Sequence, residues 1–178
     1  MVNARWTDAI HEEWIRNLAA NTQNLSVERL TETRNLMKRV LPAADVTDYE
    51  KHIPQLTLPD PGDRHVLAAA IAGCASHIVT WNLADFPAET LTPHHVSAQN
   101  PDDFLMDLYA AAPDVTVAAA ENARKNLKKT EPTVTEFIDA LERKNSLGFC
   151  SSAQSRQKAV KLLLRSLFCG TIARSSTD

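Results

Sequence analysis

Three acidic residues stand where sequence elements meet: Glu13 in an apolar-rich helical stretch, Asp63 just before an alanine-rich run, and Asp85 in Asn82-Leu83-Ala84-Asp85-Phe86-Pro87. Carboxylates gathered in one place repel each other and stay ionised together mainly when a cation joins them. An all-oxygen donor set suits Mg²⁺ or Mn²⁺, which would keep several waters. Such an ion lowers the pKa of a bound water, aligns it for in-line attack on a phosphodiester and stabilises the leaving oxygen. The spacing therefore permits metal-dependent phosphodiester hydrolysis. Each acid also has a structural alternative: Asp63 could cap the helix it precedes, and Glu13 could pair on the surface with Arg16 or Arg5.

The elements that must position these groups are readable from periodicity. Ile10, Trp14 and Leu18 recur at i, i+4, i+8 within Trp6 to Asn21, which predicts a helix with one buried face and Thr7 as its cap. A second helix follows Ser26, carries Val27, Leu30, Met37 and Leu41, and ends before Pro42. Gln55 to Leu58 alternates between prolines and reads as a strand or its edge. Asp60-Pro61-Gly62-Asp63 reads as a turn. Arg64 to Cys74 is a helix apolar on every face, and His77 to Asn82 is a β-favouring run. An apolar helix beside an apolar strand predicts a parallel sheet covered on both sides, with Asp63 and Asp85 near the carboxyl ends of strands, where open sheets place their sites. A further strand is expected at Val96 to Ala98. Helices are expected from Pro101 or Asp102 to Ala111, from Val115 to Lys128, and from Thr133 to Arg143 with Glu136 in a capping box.

Composition narrows the class. The chain has 178 residues, the size of one ordinary domain, and its 4 glycines and 10 aromatics argue against collagen-like, propeller or many-turned all-β architectures. Its longest uncharged apolar run, Val66 to Ala75, is about half of the ~20 residues a membrane span needs. Arg5, Asp8, Glu12, Glu13 and Arg16 interrupt the start where a secretory signal would be apolar, so a cytoplasmic location is expected. Cys74, Cys150 and Cys169 form no C-x-x-C pair and read as reduced thiols, with Cys74 in the core. The net charge of -3 hides a basic end: Arg143, Lys144, Arg156, Lys158, Lys161, Arg165 and Arg174 face only Asp178. Such an end could hold nucleic acid or simply form a solvated helix face.

The block Asp60-Pro61-Gly62-Asp63-Arg64-His65-Val66-Leu67-Ala68-Ala69-Ala70, followed by Ile78-Val79-Thr80-Trp81-Asn82-Leu83-Ala84-Asp85-Phe86-Pro87, resembles the centre of the PIN-domain family, closest to its bacterial VapC-like toxin subgroup. Trp6 to Leu18 is similar to that subgroup's early helix, with its glutamate at Glu13 rather than Glu12. Leu91-Thr92-Pro93 and Asn100 to Leu105 resemble its last strand and following helix. The likeness covers about residues 5 to 145, giving a PIN-like domain over 1–145 and a poorly matching basic tail or helix over 146–178.

The resemblance implies an α/β protein with a three-layer α/β/α fold around a central parallel sheet. It further implies an endoribonuclease using Mg²⁺ or Mn²⁺, with Glu13, Asp63 and Asp85 as catalytic and metal-binding acids. Asp60, Asn82 and Thr80 would support the site, and Arg64 and His65 would touch RNA phosphate or be exposed first-turn residues. RNA as substrate, a cognate antitoxin protein and a homodimer follow as partners. One departure stands out: the family's first strand carries an aspartate in an Asp-x-Asn sequence, and none precedes Glu13. The expectation is a PIN-like sheet missing its N-terminal strand and first acidic ligand, active if an upstream segment supplies them. The alternative is a catalytically degenerate PIN-like module that binds RNA or a protein partner.

Other chemistries lack their motifs. There is no glycine-rich phosphate loop, no Gly-x-Ser-x-Gly and no His-x-x-x-His, and on a strand His94 and His95 would point to opposite faces.

Overall fold

The computed structural model describes residues 2–21, 26–127, 131–136 and 171–175. The chain is α/β, mostly helical with one small sheet. It divides into two compact units, residues 1–99 with 169–178, and residues 100–168.

In the first unit, strand β1 (Val2–Arg5) leads into Trp6, which bridges to Asp45: Trp6 N donates to Ala44 O (3.0 Å) and Val46 N to Trp6 O (2.9 Å). Helix α1 (Asp8–Asn21) begins as the sequence predicts, with Ile10 N donating to Thr7 Oγ1 at 3.2 Å. Its buried face differs from the expected one: Ile10, His11 and Ile15 are inside, while Leu18 is 42% exposed. His11 can turn inward because its Nδ1 accepts the indole N–H of Trp14 at 2.9 Å, so part of its polarity is satisfied in the core. Helix α2 (Val27–Val40) follows Ser26, whose hydroxyl accepts from Arg29 N. Lys38 ties it to α1 and to the Trp6 bridge, lying 2.7 Å from Asp8 Oδ1 and 3.4 Å from Asp45 Oδ2.

The expected strand at Gln55 to Leu58 does not form. Glu50–Gln55 is a 3-10 turn, followed by extended backbone in which Leu56 and Leu58 are buried and Thr57 is exposed. The alternation is real, but Pro54 and Pro59 have no N–H to give a neighbouring strand, and the segment stays outside the ladder.

Helix α3 (Arg64–Ala72) is the centre of the core. Val66 to Ala70 are buried, the last four with no exposure at all, against Trp6, Ile10, Leu56, Leu58, Ile78, Phe86 and Leu91. Alanine on successive faces lets neighbours approach closely. At Gly73, which ends the helix, a Cβ would lie 2.9 Å from Val46 Cγ2 and 3.0 Å from Ala69 O. Cys74 follows in the left-handed region (φ 49°) and is exposed, so it is not a core thiol as expected; the tight exit from α3 turns it outward. Cys150 and Cys169 lie outside the described residues.

The sheet runs β1-β4-β2-β3. Strands β2 (His77–Val79) and β3 (Ser97–Gln99) pair in parallel as predicted, separated in sequence by the short helix α4 (Ala88–Leu91). Strand β4 (Thr171–Ser175) lies between β1 and β2, antiparallel to both, so the sheet is mixed rather than parallel. One expectation is thereby corrected: a strand does precede α1, although it carries Asn3 and no aspartate. The antiparallel partner β4 satisfies backbone groups on both its neighbours, which is what allows so short a β1 to form.

In the second unit, helix α5 (Pro101–Ala111) is capped by Asn100, which accepts from Asp103 N at 2.9 Å, and α6 (Pro113–Asn126) is tied to it by Thr116 Oγ1 donating to Leu108 O. The capping box predicted at Thr133 is present. Thr133 N donates to Glu136 Oε2 (2.9 Å) and Glu136 N donates to Thr133 Oγ1 (3.2 Å). Most of the basic tail or helix expected over 146–178 lies outside the described residues, which there are 171–175 alone. No described helix is long and apolar enough to cross a membrane.

Because Leu67 is wholly enclosed, Leu67→Ala should cost about 2–5 kcal/mol, the range for a buried leucine whose cavity does not collapse. Urea unfolding followed by circular dichroism would measure it; a loss below ~1 kcal/mol would contradict the central place of α3.

Candidate functional site

The site grows from the first turn of α3. Asp60 folds the preceding turn, its Oδ1 accepting from Gly62 N at 2.7 Å, and Pro61–Asp63 forms a 3-10 turn that runs straight into the helix. Asp63 occupies the capping position but makes no side-chain cap, because its backbone is already helical (φ -84°, ψ -4°). The capping alternative for Asp63 is therefore not the one the molecule uses. Its carboxyl turns instead to Asp85.

Asp85 reaches this place through a short relay from the sheet. Just past β2, Thr80 N donates to Gln99 O (3.0 Å), and Thr80 Oγ1 accepts from Asn82 N (3.1 Å). Asn82 in turn donates its side-chain amide to Asp85 Oδ2. Phe86, the next residue, is buried and anchors the turn from the other side.

Glu13 arrives from α1. Its Oε2 lies 3.3 Å from Nε2 of His65, an ion-pair distance whose alignment falls short of a hydrogen bond. The other ring nitrogen, Nδ1, is 2.7 Å from Gly62 O. His65 is thus not an exposed first-turn residue, its side chain being only 17% exposed. Arg64 is folded back, with Nε donating to Pro61 O at 2.9 Å. The structure therefore links Thr80 and Asn82 to Asp85, Asp85 to Asp63, and Glu13 to His65, keeps Asp60 on the turn before Asp63, and turns Arg64 onto its own turn.

Electrostatics mark Asp63 as the centre of this group. Burial pushes its carboxyl up to about 6, and the charges of Asp85, Asp60 and Glu13 push in the same direction, as does the shared hydrogen bond with Asp85. Glu13 moves the other way: the contact with His65 holds it below the ordinary carboxylate range, against the effect of burial. The same contact raises His65, with burial opposing and the Gly62 carbonyl assisting.

The donor set is all oxygen and suits a hard divalent cation. Among the described residues no three His, Cys, Asp or Glu side chains stand close enough to enclose one ion as a cage. Mg²⁺, however, is commonly held by one or two carboxylates with waters and substrate phosphate, and the adjacent Asp63 and Asp85 fit that pattern.

The pairing of Glu13 with His65 is invisible in spacing, since the two residues are brought together only by the packing of α1 against α3. The nearest sequence signal was a histidine in the first turn beside an acid, and it pointed to phosphate instead.

The sign of each shift gives a pH prediction. A folded-state carboxyl raised to about 6 makes ionised Asp63 a stability cost that begins above its ordinary 3.8 and is complete above about 6. In metal-free protein, Asp63→Asn should raise the melting temperature at pH 7 by about 2–4 °C and have little effect near pH 3.5, taking ~1 kcal/mol after discounting for partial exposure. The His65–Glu13 pair behaves oppositely. Lowered Glu13 stabilises above its ordinary 4.5, a gain lost as pH falls through its folded value, and raised His65 stabilises below its ordinary 6.5, a gain lost as pH rises through its folded value. Differential scanning fluorimetry should therefore find the largest penalty for Glu13→Gln between about pH 4.5 and 6.5.

Comparison with known proteins bears on the ancestry of the chain. Residues 101–154 match the family model described as the VapC50 C-terminal domain. A stretch of 45 residues is 56% identical to the protein named "Putative ribonuclease VapC50" from Mycobacterium tuberculosis (strain ATCC 25618 / H37Rv), covering 25% of this chain and 27% of that one. The chain thus spans about a quarter of the length of the curated relative it matches. No solved structure matches. The family-model segment begins after Asp85, so it speaks to kinship and not to the acidic cluster. These two matches make part of the chain similar to a VapC50 C-terminal domain and to a protein named as a VapC50 ribonuclease.

Proposed function

We propose that this protein is a metal-dependent endoribonuclease, with Asp63 and Asp85 holding a divalent cation together with waters and substrate phosphate, and Glu13 acting outside that pair. The observation that carries this reading is Asp63 itself: a carboxyl left uncapped at a helix start, turned to a second carboxyl and driven up to about 6. The neighbouring carboxylates oppose ionisation of Asp63, and a cation would relieve that repulsion. When bound, Mg²⁺ or Mn²⁺ would lower the pKa of a water and neutralise charge on the scissile phosphate. The chain's own residues do the positioning. Thr80 and Asn82 fix Asp85, Asp60 shapes the turn bearing Asp63, and Glu13 faces the cluster as an acceptor able to orient a water or take its proton. The printed name of the relative, a ribonuclease, supports RNA as the substrate. An antitoxin protein, a homodimer and a cytoplasmic setting belong to the same reading through the VapC-like kinship.

A second reading, a non-catalytic module that binds RNA or a protein, is favoured by one observation: β1 carries no carboxylate, so the aspartate expected of the family's first strand is absent from it.

One assay separates the two. Single-stranded RNA incubated with the protein and Mn²⁺ should be cut, EDTA should stop the cutting, and Asp63→Ala or Asp85→Ala should each slow it by about 100-fold or more, at or beyond the top of the range for losing an outer-shell partner. Intact RNA with wild-type protein and metal would establish the binding module instead.

A further inference from the structure

We propose that Trp81 is the platform on which one unpaired base of an RNA substrate stacks beside Asp85, which makes single-stranded RNA the substrate class. The inference rests on the ribonuclease reading above. The chain's other two tryptophans are turned inward: Trp6 is 4% exposed, and Trp14 packs against the core with its indole N–H given to His11. Trp81 is 44% exposed, and Leu83, two residues on, is 41% exposed. The same turn buries Phe86, so it sends one aromatic side chain into the core and leaves the other at the surface.

The backbone is held on both sides of this side chain. Thr80 N donates to Gln99 O at 3.0 Å, and Thr80 Oγ1 accepts from Asn82 N at 3.1 Å, so Trp81 stands on a fixed step between them. Asn82, joined to Trp81 by a peptide bond, gives its side-chain amide to Asp85 Oδ2. The indole is therefore carried one residue away from a contact with the acid, and a nucleotide whose phosphate lies at Asp85 has its own base within reach of the ring through a single sugar. Size favours a base over a protein partner. Trp81 and Leu83 are two side chains, whereas a stable protein interface takes about 800 Å² from each partner, and an indole matches the face of one base. A base inside a duplex has both faces covered by its neighbours, while an unpaired one can be splayed out onto an aromatic ring. Stacking of this kind tolerates any base, so the platform selects strandedness and not sequence.

The test uses the full chain and a fluorescein-labelled RNA of mixed sequence, single-stranded or annealed to its complement. Binding is read by fluorescence anisotropy in EDTA, and cleavage separately as KM and kcat in Mn²⁺. Trp81→Ala should weaken single-strand binding about tenfold, the order expected for removing one stacked base, and raise KM by a similar factor while kcat changes less. Trp81→Phe, which keeps a ring, should recover most of the loss, and Trp81→Leu, which keeps apolar area without a ring, should not. Duplex RNA should bind more weakly and lose nothing in Trp81→Ala. Equal recovery by Leu and Phe, or equal sensitivity of duplex RNA, would overturn the stacking platform. So would a lowered melting temperature with unchanged RNA binding, which would make Trp81 a packing residue, or unchanged RNA binding with altered self-association in sedimentation, which would make it a contact between copies of the chain. Single-strand binding with the expected Trp81 dependence but no cleavage in Mn²⁺ would overturn the nuclease reading and leave the platform supported. Cleavage indifferent to Trp81 in both KM and binding would do the reverse. Wild-type protein that neither binds nor cuts RNA would overturn both.

Discussion

The burial of α3 is the constraint on which the other parts of the first unit depend. Four consecutive residues, Leu67 to Ala70, have no exposure, so every face of the helix is in contact with something and its position has little freedom. Small side chains make this possible, because a helix of leucines could not be approached so closely from the Trp6 side and the Phe86 side together. The first turn inherits that rigidity. Asp63 and His65 sit immediately before the buried stretch, so the carboxyl and the imidazole are held by the packing of residues that do no chemistry.

Rigid placement explains how an unfavourable cluster survives. Ionised Asp63 lies among Asp85, Asp60 and Glu13, an arrangement a flexible loop would relax by moving apart. Here Asp85 is fastened by Thr80, Asn82 and the buried Phe86, and Glu13 by His65. The stability of the core offsets the cost of keeping like charges together.

What could be read from the sequence follows from how local each signal is. The caps at Thr7, Ser26 and Thr133 depend on residues three apart, and all three form as expected. The extent of α3 and the parallel pairing of β2 and β3 were legible because each element is apolar along its length. The failures are non-local. Leu56 and Leu58 bury alternately like a strand, but only a partner makes a strand, and prolines on both sides prevent one. β4 could not be found because its neighbours, β1 and β2, lie about a hundred residues or more away in sequence and its own five residues carry no strong pattern. The candidate acids stand out by type and position in the sequence, whereas the His65–Glu13 contact exists only once α1 lies against α3.

β1 bears on the chemistry through its composition. β1 carries Val2, Asn3, Ala4 and Arg5 and so contributes no carboxylate. With one fewer carboxylate the cluster has less charge to hold a cation, and also less repulsion to contain. The remaining acids then depend more heavily on placement.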